Sequence, residues 1–222
     1  MGPAANRARK LKQFARLAAA MLLLLPAAFA EKNPPPARAA ATYPAVDVHP
    51  SEKVAVAADP LDSRDKESFF QIDYLKAGYM PVRLIITNSS GATIKLDQVR
   101  AYFVTADGDK LQAADTDDVE RRVNDAGSDP NKRMERPPLL RGIGKPKNKD
   151  PKIQADFRLA DFADLAVAPH ETQSGYLFFD VNGMENPLAG AKLLVRGIEG
   201  EDGTQLFYFE APFDKYLAAK HK

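Results

Sequence analysis

Cysteine and tryptophan are absent from the 222 residues, and histidine occurs only as His49, His170 and His221. Without cysteine there is no disulfide, no thiolate metal ligand and no cysteine nucleophile. Without tryptophan the best stacking surface for sugars and quaternary ammonium groups is missing. The histidines lie far apart and form no HExxH or HxH pair, which argues against a His-based zinc site. No cofactor and no metal is expected. A long hydrophobic run is also lacking. The most apolar stretch, Leu17 to Phe29, is 13 residues and is interrupted by Pro26, whereas a bilayer-spanning helix needs about 20.

The balance of 31 basic and 30 acidic residues is uneven along the chain. Residues 1–30 carry five bases (Arg7, Arg9, Lys10, Lys12 and Arg16) and no acid, leaving 26 bases against 30 acids in the remainder. A mildly acidic remainder disfavours nucleic acid as a partner, because neutralising phosphates needs a net basic face. The order within the first thirty residues is basic, then apolar, then Ala28-Phe29-Ala30. That is the order of a secretory signal peptide, with cleavage expected after Ala30. No cysteine follows for lipid attachment and no Arg-Arg pair precedes. The expected location is periplasmic or secreted, with no transmembrane segment left after cleavage. An exported chain with no disulfide suits a bacterium better than a eukaryote.

Residues 31–52 are rich in proline and alanine and read as a linker. A β-rich domain is expected over 53–217, followed by a short tail at 218–222. Lys53–Ala58 alternates as a first strand. Val82, Leu84 and Ile86 share one face of the next, ended by Asn88-Ser89-Ser90-Gly91. Val99–Thr105, Lys110–Gln112, Gly175–Val181, Lys192–Arg196 and Gln205–Phe209 are further candidates. Asp107-Gly108 and Asp202-Gly203 read as hairpin turns. Strand alternation predicts a core of Val82, Leu84, Ile86, Phe103, Leu177, Phe179, Val181, Val195 and Phe207. Short strands without βαβ alternation point to an antiparallel sandwich or barrel. The pattern lapses over 114–155. A short helix over 115–123 precedes a proline-rich basic segment, read as an inserted mobile loop. A second short helix is expected around Ala160–Leu165, and the tail Asp214–Lys222 is expected to form a last helical turn or to fray.

Few residues form a recognisable chemical constellation. Residues 132–152 are net +6 and residues 106–129 net −5. Arg141, Lys145, Lys147 and Lys149 are therefore a candidate patch for an anionic partner, although a solvated loop explains the same charges. Gly142-Ile143-Gly144-Lys145-Pro146 lacks the Ser/Thr and following helix of a phosphate-binding loop. Counting a calcium loop from Asp107 puts Leu111 at the fifth position and Asp118 at the twelfth, so it fails twice. Gln173-Ser174-Gly175 lacks the leading glycine of a nucleophile elbow, and Glu171 is poorly placed to orient His170. No catalytic residue is assigned and the chain is not expected to be an enzyme. One face of 176–181 and of 206–209 must be core; the other, with Tyr102, is either a binding face or covered by a helix or loop.

The segments VRLIITNSSGATIKLDQVRAYFVTADGDKL, VAPHETQSGYLFFDV and LLVRGIEGEDGTQLFYFE resemble exported bacterial immunoglobulin-like sandwich domains of unknown function. The resemblance rests on a strand ending in Asn-x-Ser/Gly, a D-G hairpin, and Pro169, Thr172, Gly175, Leu177, Phe179 and Val181 in a Pro-x-x-Thr-x-x-Gly-x-Leu-x-Phe-x-Val pattern. It covers about residues 80–212 and implies no catalytic residue. The expectation is a mostly β, immunoglobulin-like antiparallel sandwich with a long inserted loop and one or two short helices. Its expected role is binding or assembly in the cell envelope, with an envelope protein or an anionic surface as partner. A small-ligand carrier and an unrecognised envelope hydrolase remain the alternatives.

Overall fold

A computed structural model describes residues 33–126 and 150–220. Residues 1–30, read as a signal peptide, most of the expected inserted loop, and the candidate basic patch Arg141, Lys145, Lys147 and Lys149 lie outside the described residues. The fold is mostly β, with three antiparallel sheets and three short helices. Strands β1 (Val46–His49), β2 (Val54–Pro60), β3 (Tyr79–Asn88) and β8 (Thr172–Asp180) form the first sheet, in the order β1-β2-β3-β8. Strands β5 (Arg100–Val104), β6 (Lys110–Gln112), β9 (Lys192–Arg196) and β11 (Phe209–Pro212) form another, in the order β11-β9-β5-β6. The two-residue strands β4 (Ile94–Lys95), β7 (Ala166–Val167) and β10 (Glu199–Gly200) make a small third sheet.

The alternating residues of the two larger sheets meet in one apolar cluster. Val56, Val82, Leu84, Ile86 and Phe179 come from the first sheet, and Phe103, Leu193, Val195 and Phe209 from the second. Leu177 is partly buried against the same cluster. The first sheet is buried on its other face too, which explains why β3 shows hardly any exposed position. A short 3₁₀ turn, Ala40–Thr42, covers Ala55, Ala57 and Ile85. Residues 61–79 and helix α2 (Pro151–Ala160) cover Tyr176 and Phe178. A two-sided sheet needs near-continuous apolar strands, and β3 supplies Val82, Leu84, Ile85 and Ile86 in close succession.

The helices follow local rules. In α1 (Thr116–Ala126), Asp117 and Asp118 stand in the first turn, where the helix dipole favours anions. In α2, the Asp150 side chain accepts from the Lys152 N–H at 2.9 Å and Pro151 opens the helix. Helix α3 (Phe213–Lys220) buries Phe213 and Tyr216.

Four expectations change. Within the segment read as a linker, Val46–His49 pair with Val54–Ala57, so the sheet begins before Lys53. The second helix is α2, which ends at Ala160 where a helix was expected to start. Its beginning lies directly after the charge-rich segment, where Asp150-Pro151 is a helix-start signal. The strand expected over Gln205–Phe209 starts only at Phe209, because the Phe207 N–H is bonded to the Glu52 carboxylate at 2.8 Å. Phe207 is consequently not a core residue; it is 75% exposed.

Candidate functional site

The site is built by the adjacent strands β5 and β9. Their register sets Ala101 opposite Val195 and Phe103 opposite Leu193, all toward the apolar cluster. Period-two alternation turns the intervening residues outward. Arg100 therefore stands directly across from Arg196, and Tyr102 across from Leu194. The Arg196 Nη2 group donates to the Tyr102 hydroxyl at 3.1 Å, with its guanidinium carbon 5.2 Å from the ring centroid. Arg100 Nη1 donates to the Val99 carbonyl at 2.9 Å. Among the described residues, neither guanidinium is bonded to a carboxylate. Like charges placed directly opposite each other disfavour strand pairing, a cost that the Arg196 contacts with Tyr102 partly offset.

Gly197 follows Arg196 with φ +83°, and a Cβ there would stand 2.2 Å from the Gln98 carbonyl oxygen. Only glycine fits this close approach of two backbones. The chain then forms β10 and a turn in which Asp202 accepts from the Thr204 N–H at 3.0 Å and hydroxyl at 2.9 Å. Those two bonds hold the Asp202 carboxyl below its ordinary pKa. The Leu206 N–H returns to the Ile198 carbonyl at 2.9 Å. Phe207 and Tyr208 follow, 75% and 59% exposed, before Phe209 enters the core.

This exposed segment is anchored on β1 and the turn after it. His49 stacks on Phe209 with ring centroids 4.0 Å apart. Its Nδ1 lies 2.8 Å from Glu52 Oε2 and its Nε2 3.2 Å from Asp47 Oδ2. The same two carboxylates accept the Phe207 and Glu210 N–H groups, each at 2.8 Å. The acids that touch the segment are thereby engaged. Gln98, Arg100, Arg196, Gly197 and Gln205–Tyr208 line an open cleft of about 520 Å³ with two cationic and no acidic side chains.

A larger groove, about 910 Å³, lies beside α1 and β8. Its charges cancel locally. Arg122 forks onto Asp180 at 2.6 and 2.5 Å and lies 4.9 Å from the Tyr79 ring centroid. Arg121 pairs with Asp118 in the same helix. The Arg122 guanidinium holds the Asp180 carboxyl below its ordinary pKa. These contacts tie α1 to β8.

The residues weighed for hydrolysis are not assembled. Ser174 Oγ accepts from Arg83 Nε at 3.1 Å, while His170 is exposed in a turn with φ +64°. Gly108, with φ +92°, makes the Asp107-Gly108 turn between β5 and β6. Among the described residues, no group of three or more His, Asp or Glu is gathered as metal ligands, and no helix is long and apolar enough to cross a membrane. Tyr102 was a sequence candidate for the binding face, but Arg100, Arg196 and Phe207 were not. Register alone pairs the arginines, and the two strands are about 90 residues apart. Compared with known proteins, the chain matches no family model, no curated protein and no solved structure.

Proposed function

We propose that the protein is an exported, non-enzymatic binding or assembly module of the bacterial cell envelope, immunoglobulin-like in fold, working through the Arg100–Arg196 cleft. The observation that supports this reading is the exposure of Phe207 and Tyr208 beside two arginines that face each other. A large exposed apolar side chain next to charges without carboxylate partners suits a recognition surface. The basic, apolar and Ala-x-Ala order of residues 1–30 supports export, to the periplasm or beyond.

The test replaces Phe207 with a photoreactive phenylalanine analogue in cells expressing the full chain. Irradiation is expected to join the mature protein to an envelope component, with a new N-terminus at Glu31. The same analogue at Asp214, on α3, should give no such product. An intact Met1 on the mature protein would end the export reading. Equal labelling at both positions, or none at Phe207, would end the assignment of the cleft.

A further inference from the structure

Resting on that reading of the cleft, we propose that its partner is an anionic phospholipid surface, with Arg100 and Arg196 meeting lipid phosphates and Phe207 and Tyr208 entering the interface.

Charge complementarity comes first. The outer face of the β11-β9-β5-β6 sheet continues directly from the cleft. The register that places Phe103 and Leu193 inside places Arg100, Lys110, Lys192 and Arg196 outside. Among the described residues of these four strands, the one acid on this face is Glu210, and Lys192 is bonded to it at 2.8 Å. The open face is therefore net cationic on a chain whose remainder after residue 30 carries more acids than bases. An anion bridging the two cross-strand guanidiniums removes a repulsion that the fold otherwise bears.

The aromatics distinguish a lipid surface from a small free anion. A free phosphate gains nothing from Phe207, which is 75% exposed. An amphiphile gains by covering it, since aromatic side chains settle at the level of lipid head groups. The cleft is also open, and a small-molecule site normally encloses most of its ligand. Phe207 and Tyr208 stand on a short connection whose backbone is fixed on both sides, by Leu206 to Ile198 and by Glu210 to Asp47. Little order has to be gained on docking, which lowers its entropic cost. The face supplies a few cations and two aromatics, so the contact is peripheral and reversible. Each basic residue near an anionic leaflet contributes modestly, and salt weakens all of them.

Sedimentation of the exported full chain with vesicles tests this. Binding is expected to vesicles containing phosphatidylglycerol and not to phosphatidylcholine alone, and it should weaken as salt rises. Both the R100Q/R196Q and the F207S/Y208S variants should lose at least about tenfold in affinity, while Lys215→Gln, on α3, should not. Thermal unfolding of each variant establishes that it is folded. If inorganic phosphate displaces the protein and F207S/Y208S binds as well as the parent, the site is a small-anion site and the lipid assignment is wrong. If the parent ignores anionic vesicles, the lipid assignment is wrong again. Crosslinking from Phe207 to an envelope protein would then leave the binding-module reading standing by itself.

Discussion

Glu67, within the 61–79 segment, is fully buried, with Arg64 Nη1 at 3.3 Å. Burial, and then the neighbouring Asp73 carboxyl, push its pKa up to about 7. The folded chain thus holds a proton that the unfolded chain has released above its ordinary value of 4.5. Stability from this group is full below that value and is lost as pH rises through about 7. Burial also raises the Asp156 carboxyl, although the Gln71 and Ile72 N–H groups and the Tyr74 hydroxyl donate to it. Denaturant midpoints measured from pH 5 to 8 should fall by an amount equivalent to roughly 2–3 kcal/mol. Glu67→Gln, neutral throughout, should flatten that fall. A parent profile as flat as the variant's would show that Glu67 is ionised without cost. At the surface the expectation is the opposite. Phe207→Ser should change stability by less than about 0.5 kcal/mol, as exposed substitutions do. A loss above about 2 kcal/mol would mean that Phe207 is packed after all.

At the level of elements, the strands were legible wherever one face alternates, and least legible where two faces are buried. The first sheet's inner residues, Val82, Leu84, Ile86 and Phe179, follow from period two and lie in the core. The alternation sets Phe178 on the opposite face of β8, with cover by a helix or loop as one reading. The cover is residues 61–79 together with α2, whose Phe157 stacks on Phe178 with centroids 4.7 Å apart. What sequence could not supply was the position of that cover, because α2 reaches the sheet through tertiary contacts. Phe207 was misplaced for a related reason. Continuing the alternation back from Phe209 puts it inside, but a long-range bond from its N–H to Glu52 turns the backbone away. The pairing of Arg100 with Arg196 was equally invisible, since register depends on both strands at once. One glycine marks the join between α2 and β8. A Cβ on Gly175 would lie 2.5 Å from the Phe162 ring and 2.9 Å from the Ala160 carbonyl oxygen. Gly175→Ala should therefore cost about 1–3 kcal/mol by overpacking, read as a lower unfolding midpoint. Shortening the neighbour with Phe162→Ala in the same chain should recover part of the loss. Failure of any recovery would separate the strain from that ring.

At the scale of the whole molecule, three apolar clusters among the described residues 33–126 and 150–220 share one sheet. Its inner face meets the second sheet, and its outer face carries the aromatic cluster of Phe70, Tyr74, Tyr176 and Phe178 on one part and Tyr43 with Ile85 on another. Strands β3 and β8, paired over nine residues from Tyr79↔Asp180 to Thr87↔Thr172, are the common wall. Clusters that share a wall lose it together, so unfolding should be one cooperative transition. Adjacent residues of β8 test this directly. Phe179 is fully buried on the inner side and Phe178 is 1% exposed on the outer side. Each truncation to alanine should cost about 3–5 kcal/mol. Both should displace the same single transition, seen alike by far-ultraviolet circular dichroism for backbone structure and by tyrosine fluorescence for packing. If Phe178→Ala instead produces an early step that loses helix while the sheet persists, the outer layer is a separate folding unit. That outcome would make α2 and the 61–79 segment a detachable cover and confine the essential fold to the two larger sheets, whose open face carries Arg100 and Arg196.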